Sequence, residues 1–280
     1  MKKLFAMLLA LAMTLSLAAC GGDTTTTTDD TTTDDQTTEE TTTGDYGDFA
    51  SSLVEEGKLI MSTNAQFPPY EMVADGEGYE GTGFEGIDIE IAWALAEKLG
   101  LELVIDDMDF DAALLAVQNN SADMMLAGLS YSEERDEVVD FSDPYATGVQ
   151  VVIVKEGSDV TLDNLGEQLI GVQNGTTGWQ FCSDEFGDDH VSAFDNGITA
   201  VQALMQDQVD CVVIDQGPAE VFVSENAGLT ILETEYAVED YAIGVAKGNE
   251  GLLNAINTAL AELQADGTVQ SIIDKYITAE

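Results

Sequence analysis

From about residue 46 onward the sequence alternates between short apolar strand patterns and amphipathic helix patterns. Residues 58–63 predict a buried strand. Residues 87–99 place apolar side chains at every fourth position, on one helical stripe that ends at Gly100. Because chains that alternate strands and helices form parallel sheets covered by helices, the sequence predicts an α/β fold.

The alternation falls into two similar series, and each series predicts its own layered unit. The first series predicts strands at residues 58–63, 101–105 and 123–126 and helices at 87–99 and 111–119. The second predicts strands at 169–173, 191–194 and 211–214 and helices after 177, over 198–206 and from 218. Connecting strands are predicted at 149–154 and 241–246, and closing helices at 252–265 and 268–276. This arrangement predicts two lobes with a ligand cleft between them, beyond the carboxyl ends of the strands.

The first residues are typical of an export signal. Lys2 and Lys3 precede an apolar run over residues 4–17, which is too short to span a membrane as a helix. The run ends in Leu-Ala-Ala-Cys at residues 17–20, which resembles the lipobox of bacterial lipoproteins. We therefore predict a signal peptide over residues 1–19 and a lipid on Cys20. The alternative is an ordinary cleavage site with an incidental cysteine.

Residues 20–45 predict a disordered tether. Residues 23–45 comprise 13 threonines, eight acidic residues, one glutamine and one glycine, so this segment has nothing with which to bury a core. Like charges extend such a chain.

The charge balance excludes several function classes. The chain carries 54 acidic residues against eight Lys and Arg, a formal net charge of −46. Such a surface repels phosphate backbones and anionic lipid head groups, so no nucleic-acid partner is expected. No later apolar run is long enough to span a bilayer, and membrane attachment is expected only through the lipid on Cys20.

Three further patterns point to no cofactor or metal. The glycines of residues 76–81 match a dinucleotide pattern but lie in an acidic loop that does not open a helix. Residues 107–118 imitate the start of a calcium loop but lack its glycine and its final glutamate. His190 is the only histidine and is flanked by aspartates, so no hydrolytic triad can be assembled.

Cys182 and Cys211 are the remaining cysteines after Cys20. Outside the cell they could form one disulfide, but sequence alone does not show whether they meet. Because Cys211 lies in an apolar strand pattern, we favour two unpaired, packed thiols.

Arg135 is the only arginine of the chain. A guanidinium grips a carboxylate with two parallel N–H bonds, which a lysine ammonium cannot reproduce. The alternative is a surface ion pair with Glu133 or Asp136. The decision depends on polar residues elsewhere that follow predicted strands or open predicted helices. These are residues 64–71, 109–111, 127–130, 173–177 and Asp215.

Six motifs appear in an order that resembles a known family. They are Phe-Pro-Pro-Tyr-Glu (67–71), Gly-Phe-Glu-Gly-Ile-Asp-Ile-Glu-Ile-Ala (83–92), Ala-Asp-Met-Met-Leu-Ala-Gly-Leu-Ser-Tyr-Ser-Glu-Glu-Arg (122–135), Asp-Phe-Ser-Asp-Pro-Tyr (140–145), Gly-Val-Gln-Asn-Gly-Thr-Thr (171–177) and Val-Asp-Cys-Val-Val-Ile-Asp (209–215). Over residues 58–276 the chain resembles the polar amino-acid binding proteins, family 3 of the bacterial extracellular solute-binding proteins.

The resemblance implies a two-lobed, periplasmic-binding-protein-like fold of type 2, a Venus flytrap with two hinge strands. Lobe 1 is expected to comprise residues 46–145 and 240–280, and lobe 2 residues 146–239. The hinge strands are expected near residues 146–150 and 238–243.

The resemblance also implies which residues bind a free amino acid. Arg135 would bind the α-carboxylate, together with Ser130 and the N–H of Thr177 at a helix start. Asp215 would pair with the α-ammonium, with help from the carbonyl of Gly128. One zwitterion would thereby bridge both lobes and select the closed state.

Other residues would surround the ligand side chain. Phe67 and Phe110 are expected to sandwich it, and Thr176 is included among the binding residues with Asn64 and Gln173. Because Asn64 and Gln173 are neutral amides, we expect an uncharged polar amino acid. The alternative is a cationic amino acid, which the acidic field of the chain would favour.

We therefore expect a monomeric, lipid-anchored protein outside the cell that feeds an ABC importer and partners its membrane permease. One alternative is an enzyme on the same fold, similar to cyclohexadienyl dehydratases, for which Glu71 and Asp215 are the candidate general acids. The other alternative is a lipid-tethered amino-acid sensor. A sensor chain would normally continue into a membrane-spanning helix.

Overall fold

The computed structural model describes residues 46–232 and 237–277. The predicted signal peptide (1–19), Cys20 and the predicted tether (20–45) lie outside the described residues, so these stay predictions. Within the described ranges, no helix is both long enough and apolar enough to cross a bilayer.

Fourteen strands and eight α-helices make up the described chain. The strands are β1 (Lys58–Thr63), β2 (Gln66–Phe67), β3 (Glu71–Val73), β4 (Phe84–Glu85), β5 (Glu102–Asp107), β6 (Met124–Met125), β7 (Val139–Phe141), β8 (Ala146–Lys155), β9 (Ile170–Gln173), β10 (Val191–Phe194), β11 (Cys211–Asp215), β12 (Leu229–Ile231), β13 (Ala237–Tyr241) and β14 (Gly244–Ala246). The helices are α1 (Ile87–Leu99), α2 (Phe110–Gln118), α3 (Glu133–Asp136), α4 (Thr177–Phe186), α5 (Gly197–Met205), α6 (Gln216–Glu225), α7 (Glu250–Ala265) and α8 (Thr268–Tyr276).

Lobe 1 is built on a five-stranded sheet in the order β5-β1-β6-β14-β7. Strand β1 runs parallel to β5 and β6, whereas β14 runs antiparallel to β6 and β7. Alternate residues of β1 belong to different cores: Leu59 and Met61 pack in the core that contains α1 and α7, and Ile60 packs with α2. Because successive strand residues point to opposite faces, helices cover both sides of this sheet.

Lobe 2 is built on a second sheet in the order β10-β9-β11-β8-β12, with β13 also paired to β8. Strands β9, β10 and β11 are parallel, as the sequence predicts. Strand β8 is antiparallel to β11, β12 and β13. The predicted parallel strands are present in both sheets, but each sheet is mixed, because the strands that enter from the other lobe, β8 and β14, pair in the antiparallel direction.

Two segments cross between the sheets. Strand β8 leads from lobe 1 into lobe 2, and β13 returns beside it with Tyr241 opposite Ala146. The single strand predicted at residues 241–246 is wrong: β13 ends at Tyr241 in the sheet of lobe 2, and β14 begins at Gly244 in the sheet of lobe 1. At Gly148 a Cβ atom would lie 2.5 Å from the ring of Tyr241, so the two crossing strands approach closely there.

A small sheet of β2, β3 and β4 presses against the start of α1. The N–H groups of Ile87 and Asp88 donate to the carbonyls of Pro69 and Tyr70 over 3.1 and 2.8 Å. Gly86 makes this approach possible, because its φ is 131° and a Cβ atom there would lie 2.2 Å from the Tyr70 carbonyl oxygen. As a result, Glu71 is held beside the first turn of α1.

Cys182 and Cys211 are both free and fully buried in the core of lobe 2. The prediction of two unpaired, packed thiols is confirmed. Burial raises the pKa of each thiol to about 12, so neither is a thiolate at neutral pH.

We expect both thiols to resist alkylation by iodoacetamide in the folded protein at pH 8 and to react completely after unfolding in guanidinium chloride. The physical reason is that the thiolate is the nucleophile and burial suppresses it. Mass spectrometry of the peptides that contain Cys182 and Cys211, with and without denaturant, measures this. Rapid labelling of either residue in the native protein would contradict their burial.

Candidate ligand-binding pocket

One pocket lies between the two lobes. All ten sequence-predicted binding residues line it, together with two that were not predicted. The lining residues are Asn64, Phe67, Glu71, Phe110, Ala127, Gly128, Ser130, Arg135, Gln173, Thr176, Thr177 and Asp215. Their placement is established by the structure, and their roles toward a ligand stay predictions.

The sheets explain why these distant residues meet. In lobe 1, Asn64 follows β1 and Gly128 comes shortly after β6. In lobe 2, Gln173 ends β9 and Asp215 ends β11. The carboxyl ends of parallel strands lie at one edge of a sheet, so closing the lobes brings both edges together over the pocket.

Arg135 is buried, with 8% of its surface exposed, and its guanidinium reaches across the cleft. Its Nη1 donates to the carbonyl of Ser130 over 2.7 Å, and its Nη2 donates to the carbonyl of Gly175 in lobe 2 over 2.8 Å. The guanidinium carbon also lies 5.3 Å from the ring centroid of Phe110. Burial lowers the pKa of Arg135 from its ordinary value, and the charge of Glu239 opposes that shift. Arg135 is therefore a pocket cation, and its interpretation as a surface ion pair is wrong.

The start of α4 supplies hydrogen-bond donors to the pocket. Thr176 caps the helix, because its hydroxyl accepts from the N–H of Trp179 over 3.2 Å and donates to the carbonyl of Gln173 over 2.8 Å. Thr177 is the first helical residue and is buried. Backbone N–H groups in the first turn of a helix have no partner within the helix, and the helix dipole favours an anion there.

Asp215 of lobe 2 lines the pocket together with Gly128 and Ser130 of lobe 1. Its carboxylate accepts from the hydroxyl of Tyr241 and from the side-chain amide of Gln150, the latter over 2.9 Å. Burial, and then the nearby charge of Glu239, raises the pKa of Asp215 to about 7. The Tyr241 and Gln150 hydrogen bonds act in the opposite direction, so Asp215 titrates near neutral pH.

Glu239 is a buried residue that the sequence analysis missed, and it is bonded to two residues that line the pocket. Its Oε2 accepts from the hydroxyls of Ser130 and Thr177 over 3.1 and 2.9 Å, and from the amide of Gln150 over 2.9 Å. The Ser130 hydroxyl, expected to face a ligand carboxylate, is thus already bonded to a protein carboxylate. The reason is that β13 brings Glu239 into the gap between the lobes.

The side chains of Asn64 and Gln173 are hydrogen-bonded across the cleft. The amide of Gln173 donates to Oδ1 of Asn64 over 3.1 Å, and the amide of Asn64 donates to the carbonyl of Met108 over 2.9 Å. Phe67 and Phe110 are both buried beside this pair. The cleft is therefore closed by direct contacts between the lobes at two ends, the amide pair and the Arg135–Gly175 bond.

Glu239 and Tyr241 could have been found from the sequence by one signal. The predicted hinge segment covers residues 238–243, and residues 239 and 241 share a face in a strand. Gln150 offered no such signal, because its partners depend on the pairing of β8 with both β11 and β13.

Comparison with known proteins identifies a family. Residues 59–279 match the model of the bacterial extracellular solute-binding proteins, family 3. The match covers both lobes and the crossing strands.

Individual relatives are amino-acid-binding proteins. The arginine-binding extracellular protein ArtP of Bacillus subtilis is 30% identical over 292 residues, which cover all of both chains. The L-cystine-binding protein TcyJ of Escherichia coli K12 is 30% identical over 230 residues, 81% of this chain and 85% of that protein. A solved structure of an ancestral arginine-binding protein bound to glutamine is 37% identical, with a TM-score of 0.74, and covers 80% of this chain and all of that one.

The raised pKa of Asp215 predicts how the stability of the ligand-free protein depends on pH. Unfolded aspartate titrates near 3.9, so the folded state holds a proton that the unfolded state has lost. The bound proton therefore stabilises the folded state. This stabilisation is complete below about pH 4 and is lost as pH rises through about 7. We expect Asp215→Asn to raise the free energy of unfolding at pH 8 by roughly 2–4 kcal/mol and to have little effect at pH 4. Urea unfolding across this range measures it.

The matched control is Asp195→Asn, because Asp195 is exposed. We expect this variant to follow the wild type at each pH. An Asp215→Asn variant that is less stable than the wild type at pH 8 would contradict the raised pKa.

Proposed function

The chain belongs to the bacterial extracellular solute-binding proteins, family 3, and on that premise we propose that it binds a free amino acid as a zwitterion in the pocket between its lobes. It is an amino-acid-binding component of an ABC transporter and acts outside the cytoplasm. One observation supports the zwitterion most directly: Arg135 and Asp215, of opposite charge, line the same pocket from opposite lobes.

The α-carboxylate binds at Arg135 and the start of α4. The guanidinium lies beside the pocket in contact with Phe110, and the N–H of Thr177 in the first turn of α4 adds a donor to the same anion. The Ser130 hydroxyl donates to Glu239 in this structure. It therefore orients the carboxylate of Glu239 and does not bind the ligand.

The α-ammonium binds at Asp215 and the carbonyl of Gly128. Tyr241 and Gln150 orient the carboxylate of Asp215, so it is positioned before the ligand arrives. An ammonium beside Asp215 favours its charged form, and the ligand replaces the proton that this group holds below about pH 7. Since the two charges of the ligand meet different lobes, binding stabilises the closed state.

The ligand side chain is uncharged and polar. Phe67 and Phe110 form its walls, and the neutral amides of Asn64 and Gln173 lie at the same pocket. Neutral amides exchange hydrogen bonds with a polar group but do not neutralise a full charge. The second candidate is a cationic amino acid, favoured by the buried carboxyl groups of Glu71, Asp215 and Glu239 around a single arginine.

The protein is tethered to the outer face of the membrane and delivers its ligand to a permease. The lipid is carried by Cys20, and residues 20–45 give the lobes their reach. The acidic surface keeps the lobes away from anionic head groups. The protein acts as a monomer, and its lipid anchor leaves both lobes available to the permease.

The relatives are binding proteins and not enzymes. The dehydratase-like alternative assigned general-acid roles to Glu71 and Asp215, and Asp215 binds the ligand ammonium in the proposed site. The lipid-tethered sensor binds the same ligand at the same residues and differs only in its membrane partner.

Screening of refolded, ligand-free protein against the common L-amino acids tests the proposal. We expect L-glutamine or another neutral polar amino acid to raise the free energy of unfolding, by about 2.7 kcal/mol at a hundredfold excess over Kd. Calorimetry and thermal unfolding measure this. Stabilisation by L-arginine alone would overturn the neutral subclass, and stabilisation by no amino acid would overturn the proposed function. Turnover of prephenate by the same sample would restore the enzyme alternative.

Replacement of Arg135 tests the carboxylate clamp. We expect Arg135→Ala to weaken binding of the best amino acid by about 2–5 kcal/mol, because the ligand carboxylate would be buried without its cation. Arg135→Lys should recover only part of the loss, since an ammonium lacks the two parallel donors. Isothermal titration calorimetry measures both variants.

Lys155→Ala is the matched control, because Lys155 pairs with the exposed Asp207 outside the pocket. It should bind as the wild type does. Affinity retained within twofold in Arg135→Ala would show that the carboxylate binds elsewhere.

A further inference from the structure

Two carboxyl groups lie against each other at the rear of the ligand pocket. Glu71 of β3 and Asp88 of α1 are both fully buried, and each carboxyl group shifts the pKa of the other. The close packing of β3 on the start of α1 brings them together, through the bond from the N–H of Asp88 to the carbonyl of Tyr70. Glu71 also lines the pocket, whereas Asp88 lies behind it.

The donors around this pair satisfy only one of its four oxygens. Oδ2 of Asp88 accepts from the N–H of Gly128 over 2.8 Å and from the hydroxyl of Tyr145 over 2.9 Å. Oδ1 of Asp88 and both oxygens of Glu71 meet no donor among residues 46–232 and 237–277. Two ionised carboxylates would leave three buried acceptors unbonded beside a like charge, which is costly. A proton on Glu71 removes the repulsion and gives Oδ1 of Asp88 its missing donor.

The surrounding charges place the proton on Glu71. Burial, and then the charge of Asp88, raise the pKa of Glu71 well above its usual range, and Asp215 and Asp107 act in the same direction. Burial raises the pKa of Asp88 only to about 6, because the bonds from Gly128 and Tyr145 favour its charged form. Asp88 also lies in the first turn of α1, where the helix dipole favours one negative charge. The phenol groups that face the pair, Tyr70 and Tyr145, are neutral.

Asp88 in turn holds a residue of the binding site. Gly128 has a φ of 52°, and a Cβ atom there would lie 2.7 Å from the ring of Phe67. Its N–H is bonded to Asp88, and its carbonyl is the proposed acceptor of the ligand ammonium. The same loop continues to Ser130, whose carbonyl anchors Arg135. A shift of Asp88 would therefore move the groups for both ends of the ligand.

We propose that Glu71 and Asp88 share one proton and that Asp88, bonded to the protonated Glu71, positions Gly128 for ligand binding. Glu71 is thus a positioning residue that acts as a hydrogen-bond donor and not as a charged ligand of the amino acid. The part that concerns affinity rests on the proposed function. The protonation of the pair does not.

Two substitutions with side chains of similar length distinguish the hydrogen-bond donor of Glu71 from its charge. Glu71→Gln keeps a permanent donor to Asp88, and Glu71→Met fills the space without one. We expect Kd values for L-glutamine and L-arginine, at pH 7, to stay within about threefold of the wild type in Glu71→Gln and to rise about tenfold or more in Glu71→Met, since Asp88 then keeps a buried, unbonded oxygen. An equal loss in both variants would show that Glu71 acts through its charge. No loss in Glu71→Met would show that it positions nothing.

The pH profile gives a second readout. Because the pKa of Glu71 is higher in the folded state than in the unfolded state, its proton stabilises the fold. This stabilisation is complete at low pH and is lost as pH rises through the folded-state pKa. The ligand-free Glu71→Gln protein should therefore gain melting temperature relative to the wild type as pH rises from 6 to 10. The ratio of wild-type to Glu71→Gln Kd should rise over the same range, and the titration of the ligand cancels in that ratio.

Infrared spectroscopy of the ligand-free protein detects the proton directly. At pH 8 the wild type should show the carbonyl band of a protonated carboxylic acid, and Glu71→Gln should lack it. Absence of this band from the wild-type spectrum would overturn the shared proton. A band that remains unchanged in Glu71→Gln would overturn it too. If no amino acid binds the wild type, the proposed function fails, while the melting temperatures and the infrared band still decide the carboxyl pair.

Discussion

The burial of one guanidinium among several carboxyl groups is the constraint on which the rest of the pocket depends. Arg135, Asp215 and Glu239 are all at least nine-tenths buried, and Glu71 and Asp88 are fully buried behind them. Unpaired buried charge is costly, so each carboxyl group must be neutralised, hydrogen-bonded or matched by a ligand. Glu239 receives three donors, the Glu71–Asp88 pair carries the proposed proton, and Asp215 lies near its titration point. The proposed ligand ammonium completes this balance at Asp215.

The crossing strands connect that electrostatic balance to the two-lobed architecture. Gln150 of β8 donates to both Asp215 and Glu239, and Tyr241 of β13 donates to Asp215. The strands that join the lobes are thus the strands that orient the ammonium acceptor. Opening the cleft would separate Arg135 from the carbonyl of Gly175 and Gln173 from Asn64, and a bound zwitterion would oppose that separation.

Much of the fold could be predicted from periodicity. The predicted strand at residues 58–63 and the helices at 87–99 and 268–276 match β1, α1 and α8 residue for residue. The two-residue strand β6 and the small sheet of β2 to β4 carry too little periodic signal to be predicted with their bounds. The break between β13 and β14 was also missed, because residues 241–246 are apolar throughout although they serve two different sheets.

The sequence by itself determined the family, the alternation of strands and helices, and ten of the twelve residues that line the pocket, because these depend on local patterns and on motifs at strand ends. Only the tertiary structure decided the partners of those residues. Gln150 gave no signal in the sequence, because its contacts with Asp215 and Glu239 depend on the pairing of β8 with both β11 and β13. Hydrogen-bond partners and pKa shifts depend on burial and distance between remote segments. These quantities exist only once both sheets have formed and the lobes have closed.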